Sequence, residues 1–81
     1  MNICIRLFAV ARQLAGRDSV VLQLPAGSTV AQLRAQLAAD VPALAAVLPH
    51  IVFAVGSEYA QDDWVVSEGS EVACIPPVSG G

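Results

Sequence analysis

The sequence is 81 residues long, 56% hydrophobic and 14% charged, with a formal net charge of −3. That length suits one small domain burying only about 60% of its unfolded surface, so stability is modest, disorder is excluded, and some apolar side chains stay exposed for a partner to cover. Seven carboxylates face four arginines (Arg6, Arg12, Arg17 and Arg34) and no lysine, leaving no basic patch for nucleic acid, while Asp40, Pro42, Pro49 and His50 keep the longest apolar neighbourhood short of the roughly 18 residues a membrane span needs.

In chain order, "NICIRLFA" alternates, with Ile3, Ile5 and Leu7 on one face and Cys4, Arg6 and Phe8 on the other, the period of a half-buried strand. Arg6 interrupts the apolar run where a secretory signal wants no charge, so a cytoplasmic protein is expected. "VARQLAG" offers a short helical turn closed by Gly16, and "DSVVLQLPAG" a second strand from Val20 to Leu24 that pairs with the first. The main helix runs through "STVAQLRAQLAADVP": Thr29 caps it, Gln32 completes a capping box, and Val30, Leu33, Leu37 and Val41 form one apolar stripe. Pro42 ends this helix or starts a second short one through Leu48. "IVFAV", Ile51 to Val55, reads as a strand buried on both faces, after which Gly56 and Ser57 turn the chain. A brief strand at Trp64 to Val66, a turn through Gly69 and a last strand from Glu71 to Ile75 complete the order.

Two strands, a crossing helix and further strands give an α+β layer of the β-grasp kind: a mixed sheet of about five strands wrapped on one main helix. The right-handed crossover rule then places the last strand in the middle of the sheet, parallel to the first. The expected division is a domain over residues 1–75 and an extended tail over residues 76–81.

Catalytic chemistry is sparse. His50 stands alone and reads as a loop or satisfied core residue, the adjacent Asp62 and Asp63 cannot flank a substrate as acid and base, and "SEGSE" reads as a turn. Cys4 and Cys74 are too few for a metal site, so no metal is expected; both read as buried free thiols, with a redox pair as the alternative. Arg12 is either solvated or an interface anchor. The tail "IPPVSGG" is either a frayed end or a working one. In its favour, Gly80 and Gly81 can lie extended in a channel too narrow for other residues, and Pro76 and Pro77 stiffen the base so that less entropy is lost on insertion.

"FAVARQLAG", "LPAGSTVAQLRAQL" and above all "EGSEVACIPPVSGG" resemble the small subunits of molybdopterin synthase, also described as molybdopterin-converting factor subunit 1, which are ubiquitin-like sulfur carriers. The resemblance covers essentially the whole chain. It implies a ubiquitin-like β-grasp fold and a carrier with no active site and no bound cofactor of its own. An E1-like adenylyltransferase would use ATP to adenylate the carboxylate of Gly81, which becomes a thiocarboxylate and donates sulfur to the molybdopterin dithiolene. The other implied partner is the synthase large subunit, in a heterotetramer of two small and two large subunits. By position, Arg12 falls on the family's Phe-Ala-x-x-Arg stretch, and Pro76, Pro77, Val78, Ser79, Gly80 and Gly81 fall on its tail. Phe8, Arg12 and Ile75 are the candidate partner contacts, although Phe8 and Ile75 also fit a core. Cys74 and Ile75 stand where relatives often carry aromatic residues, and Gly56 and Ser57 where relatives often carry an asparagine. A ubiquitin-like protein modifier, or a sulfur carrier for thiamine or another product, would use a similar tail.

Overall fold

The computed structural model describes residues 1–76. Its strands are β1 (Asn2–Leu7), β2 (Ser19–Gln23), β3 (Val52–Val55), β4 (Glu58–Ala60) and β5 (Glu71–Ile75), and its helices α1 (Ala9–Ala15) and α2 (Val30–Asp40). The sheet order is β2-β1-β5-β3-β4. β1 runs antiparallel to β2 and parallel to β5, so the last strand lies in the centre beside the first, as the crossover rule predicts. This is the expected α+β grasp.

Alternation sorts the strands into two faces. Ile3, Ile5, Leu7, Val20, Leu22, Phe53, Val72 and Cys74 point inward, where they meet Val30, Leu33 and Leu37 of α2 in a single core. Burying each of these larger side chains stabilises the fold by about 1.5–3 kcal/mol. The start of α2 is a full capping box: the Thr29 N–H donates to Gln32 Oε1 at 2.8 Å and the Gln32 N–H donates to Thr29 Oγ1 at 3.4 Å. Gly16 closes α1 at φ 74°, its N–H donating to the Arg12 carbonyl.

Three expectations change. Trp64–Val66 is not a sheet strand; Val65 makes one isolated bridge to Thr29, and the Val66 N–H donates to the Ser28 carbonyl at 2.8 Å. That segment fastens the loop before α2 instead of extending the sheet. The fourth strand is Glu58–Ala60, brought back along β3 by a two-residue turn in which Gly56 takes φ 64°, the kind of positive angle that tight hairpins demand. β3 is not buried along both faces: its inner face joins the core through Phe53, while on the outer face Ala54 is buried but Val52 remains 43% exposed, with no helix over it among the described residues. Cys4 is exposed for the same reason, whereas Cys74 is buried. After α2, which ends just before Pro42 as the first of the two alternatives had it, the chain forms two 3-10 turns, Pro42–Leu44 and Leu48–His50. Among the described residues no helix is long and apolar enough to cross a membrane.

Candidate functional site

The end of the sheet where β1 and β5 finish together gathers most of the residues singled out in the sequence. Leu7 pairs with Cys74, so Phe8 and Ile75 come next on their strands, while Val52 of β3 pairs directly with Ile75. Leu7 and Cys74 point inward; by alternation Phe8, Ile75 and Val52 belong to the outer face. Phe8 is 43% exposed and Ile75 half-buried, so neither is a core residue. The next row across the outer face runs Ser19, Arg6, Ala73, Ala54 and Tyr59. Tyr59 is 75% exposed.

Local conformation explains how Phe8 is presented. Phe8 is still extended (φ −127°, ψ 154°), and the turn into α1 is made by Ala9 in the left-handed region at φ 51°. A side chain there costs about 1–2 kcal/mol, a strain held beside the exposed aromatic. Arg12, one turn into α1, is exposed and lies 3.8 Å from Asp18, whose carbonyl accepts the Leu7 N–H at 2.7 Å. Phe8, Arg12 and Ile75 therefore share one end of the molecule. Pro76 follows Ile75 there and is half-buried. Pro77, Val78, Ser79, Gly80 and Gly81 lie outside the described residues.

The interior behind this face is chemically quiet. Burial pushes the Cys74 thiol up to about 11, against a smaller downward pull from Arg34, so it stays protonated at neutral pH. Asp62 pairs with Arg34 at 3.0 Å, and Asp63 and His50 are exposed away from any cluster. Among the described residues no group of three or more His, Cys, Asp or Glu is arranged to hold a metal ion.

Sequence reading missed two residues. Tyr59 was hidden because its strand is only three residues long; the signal was the two-residue Gly56-Ser57 step between "FAV" and "EYA". Arg34 entered only as one of the four arginines, but its guanidinium donates to the carbonyls of Leu48 and Ile51, the latter at 2.7 Å.

The sequence model of the ThiS family matches residues 5–81. The chain is 41% identical over 83 aligned positions to the molybdopterin synthase sulfur carrier subunit of Chlamydomonas reinhardtii, with 100% of both chains covered. It is 38% identical to the protein of the same name from Arabidopsis thaliana, covering 100% of this chain and 84% of the relative. Among solved structures, SAMP1 of Haloferax volcanii superposes with a TM-score of 0.88 at 29% identity, with both chains covered in full. Matched over nearly all its length by that family and by relatives of its own size, the chain belongs to the ThiS family, alongside the molybdopterin synthase sulfur carrier subunits.

Proposed function

We propose that this protein is a sulfur carrier in molybdenum cofactor biosynthesis, acting through Gly81 as the small subunit of a cytoplasmic molybdopterin synthase. One observation carries the reading beyond the family: the central strand β5 ends at Ile75 beside an apolar face that the described residues leave exposed, so the segment that follows starts next to a candidate docking surface. A strand paired on both sides is a rigid base from which to present a reacting terminus.

A carboxylate is a poor electrophile, so activation precedes sulfur attack. The Gly81 carboxylate attacks the α-phosphate of ATP held by an E1-like adenylyltransferase, pyrophosphate leaves, and a sulfur nucleophile then displaces AMP to give the thiocarboxylate. This chain binds no cofactor in that scheme. The large subunit, in an assembly of two small and two large chains, supplies the pterin pocket, and the outer face around Phe8, Val52, Tyr59 and Ile75, with Arg12 at its edge, makes the contact. Pro76, Pro77, Val78, Ser79 and Gly80 thread the tail into the partner.

Deleting Gly81 touches no core residue, so the fold persists while adenylation and molybdopterin formation are lost. Intact-mass measurement after incubation with the activating enzyme, ATP and a sulfur donor shows one oxygen exchanged for sulfur in the full chain only. Persistent adenylation of the truncated chain defeats the reading. A second reading, a protein modifier joined through Gly81 to lysines of other proteins, is favoured by the full-length likeness to SAMP1. Recovery of Gly81 in isopeptide linkage, without any thiocarboxylate, selects it.

A further inference from the structure

Arg6 stands near the centre of the outer sheet face. Its register neighbours are Ser19 on β2 and Ala73 on β5, both too small to cover a guanidinium, and its own side chain is exposed. Arg12 and Arg34 each have a carboxylate, at 3.8 and 3.0 Å, whereas Arg6, like Arg17, makes no salt bridge among the described residues. Glu71, also on this face, is in register with Cys4, one row from Arg6 on the side opposite the apolar end. An open cavity of about 370 Å³, lined in part by Cys4, Arg6 and Glu71, lies on that side.

A partner that covers Phe8, Val52, Ile75 and Tyr59 also covers Arg6, because Arg6 shares the row of Tyr59 and lies next to the row of Phe8, Ile75 and Val52. Dehydrating a guanidinium with no acceptor strongly opposes binding. The covering surface must therefore answer the charge. Arginine is suited to this, since its planar fork takes a carboxylate in a bidentate fashion. The chain's net charge of −3 gives no general attraction to an acidic surface, so recognition depends on local cations, and Arg6 is the one within the two rows that end this face.

We infer that Arg6 is the electrostatic anchor of this face, and that the large-subunit surface covering it presents a carboxylate on the side of Arg6 away from Glu71. The inference rests on the proposed assembly with a large subunit. It makes Arg6 a determinant of which partner fits, distinct from the tail that reacts.

The test is the affinity of the full chain for its cognate large subunit, measured by calorimetry at low and high salt, with thermal melts of each variant. Arg6→Gln weakens binding by about thirtyfold or more, Arg6→Lys by less, and Arg6→Glu by most. Their melting temperatures stay near the parent's, as expected of an exposed position. The parent loses affinity with salt more steeply than Arg6→Gln. Glu71→Gln binds as well as the parent or better. Parent-like binding by Arg6→Gln overturns the inference, and so does a loss in Glu71→Gln equal to that in Arg6→Gln, which assigns the partner charge to this chain. If the parent itself does not bind the large subunit, the functional reading fails and this inference with it.

Discussion

The guanidinium of Arg34 lies 4.9 Å above the ring centroid of Phe53, joining the middle of α2 to the buried face of β3. The same group donates to the carbonyls of Leu48 and Ile51 and reaches Asp62 at 3.0 Å, so one side chain ties the helix to the irregular stretch between Pro42 and β3. Arg34→Met keeps the apolar stem but takes the guanidinium donor from both carbonyls, leaving that of Leu48 with only the Ile51 N–H at 3.1 Å, and removes the cation from the ring. A loss of about 3 kcal/mol follows, lowering the melting temperature by on the order of 15 °C in a domain this small. Asp62→Asn removes only the exposed part of the network and costs under about 1 kcal/mol. Equal losses in the two variants would place the stabilisation in the surface ion pair instead.

Ala9 provides the opposite test, a variant that gains stability. With φ at 51° it occupies a conformation that glycine adopts without penalty. Relief of that strain, less the greater freedom of glycine in the unfolded chain, leaves Ala9→Gly more stable by about 0.5 kcal/mol. Ala9→Val, branched at Cβ, is destabilised. Chemical denaturation of the pair reads both signs, and a destabilised Ala9→Gly would mean that the turn into α1 carries no strain.

The two cysteines differ in reach. In the native protein Cys4 reacts with a thiol reagent at neutral pH, and Cys74 reacts only after unfolding. Because burial raises Cys74 from near 9 to about 11, the native state holds its proton where the unfolded state has lost it. The resulting stability is complete below about pH 9 and is lost as pH rises towards 11, on the order of 2 kcal/mol in all. Cys74→Ala, measured by urea denaturation across that range, flattens the slope. An unchanged slope assigns the alkaline loss to other groups.

The strands β1, β2 and β5, helix α2 with its cap, and the central place of β5 were legible because each rests on a local rule: alternation of Ile3, Ile5 and Leu7, the Thr29–Gln32 box, and crossover handedness. Cys4 and Val52 were misjudged because periodicity separates two faces without saying which is covered, and among the described residues a helix lies over one face. Trp64–Val66 has strand-like residues, but its backbone groups serve the loop before α2, a long-range pairing that no local pattern reveals. Of the candidate site, the ends of β1 and β5 were foreseeable from the sequence; Tyr59 depended on a three-residue hairpin arm and Arg6 on knowing that its neighbours are small.

The tail yields two variants expected to fail differently. If Gly80 and Gly81 pass through narrow channels in both the activating enzyme and the synthase, Gly80→Ala adds a methyl group where there is no room. Saturating partner does not restore either adenylation or sulfur donation, because the obstruction persists in the complex. Replacing Pro76 and Pro77 together by glycine adds no bulk but releases the two fixed φ angles at the base, so more conformational freedom is lost on insertion. That cost appears in apparent affinity, and raising partner concentration recovers most of the rate. Both variants leave residues 1–75 unaltered and melt near the parent's temperature. Adenylate formation and molybdopterin yield, each measured across partner concentrations, separate a lowered plateau for Gly80→Ala from a shifted midpoint for the double glycine variant. A Gly80→Ala chain with a full plateau in both assays would remove the narrow channel from the argument, and the diglycine would then serve only as an unobstructive end to the chain.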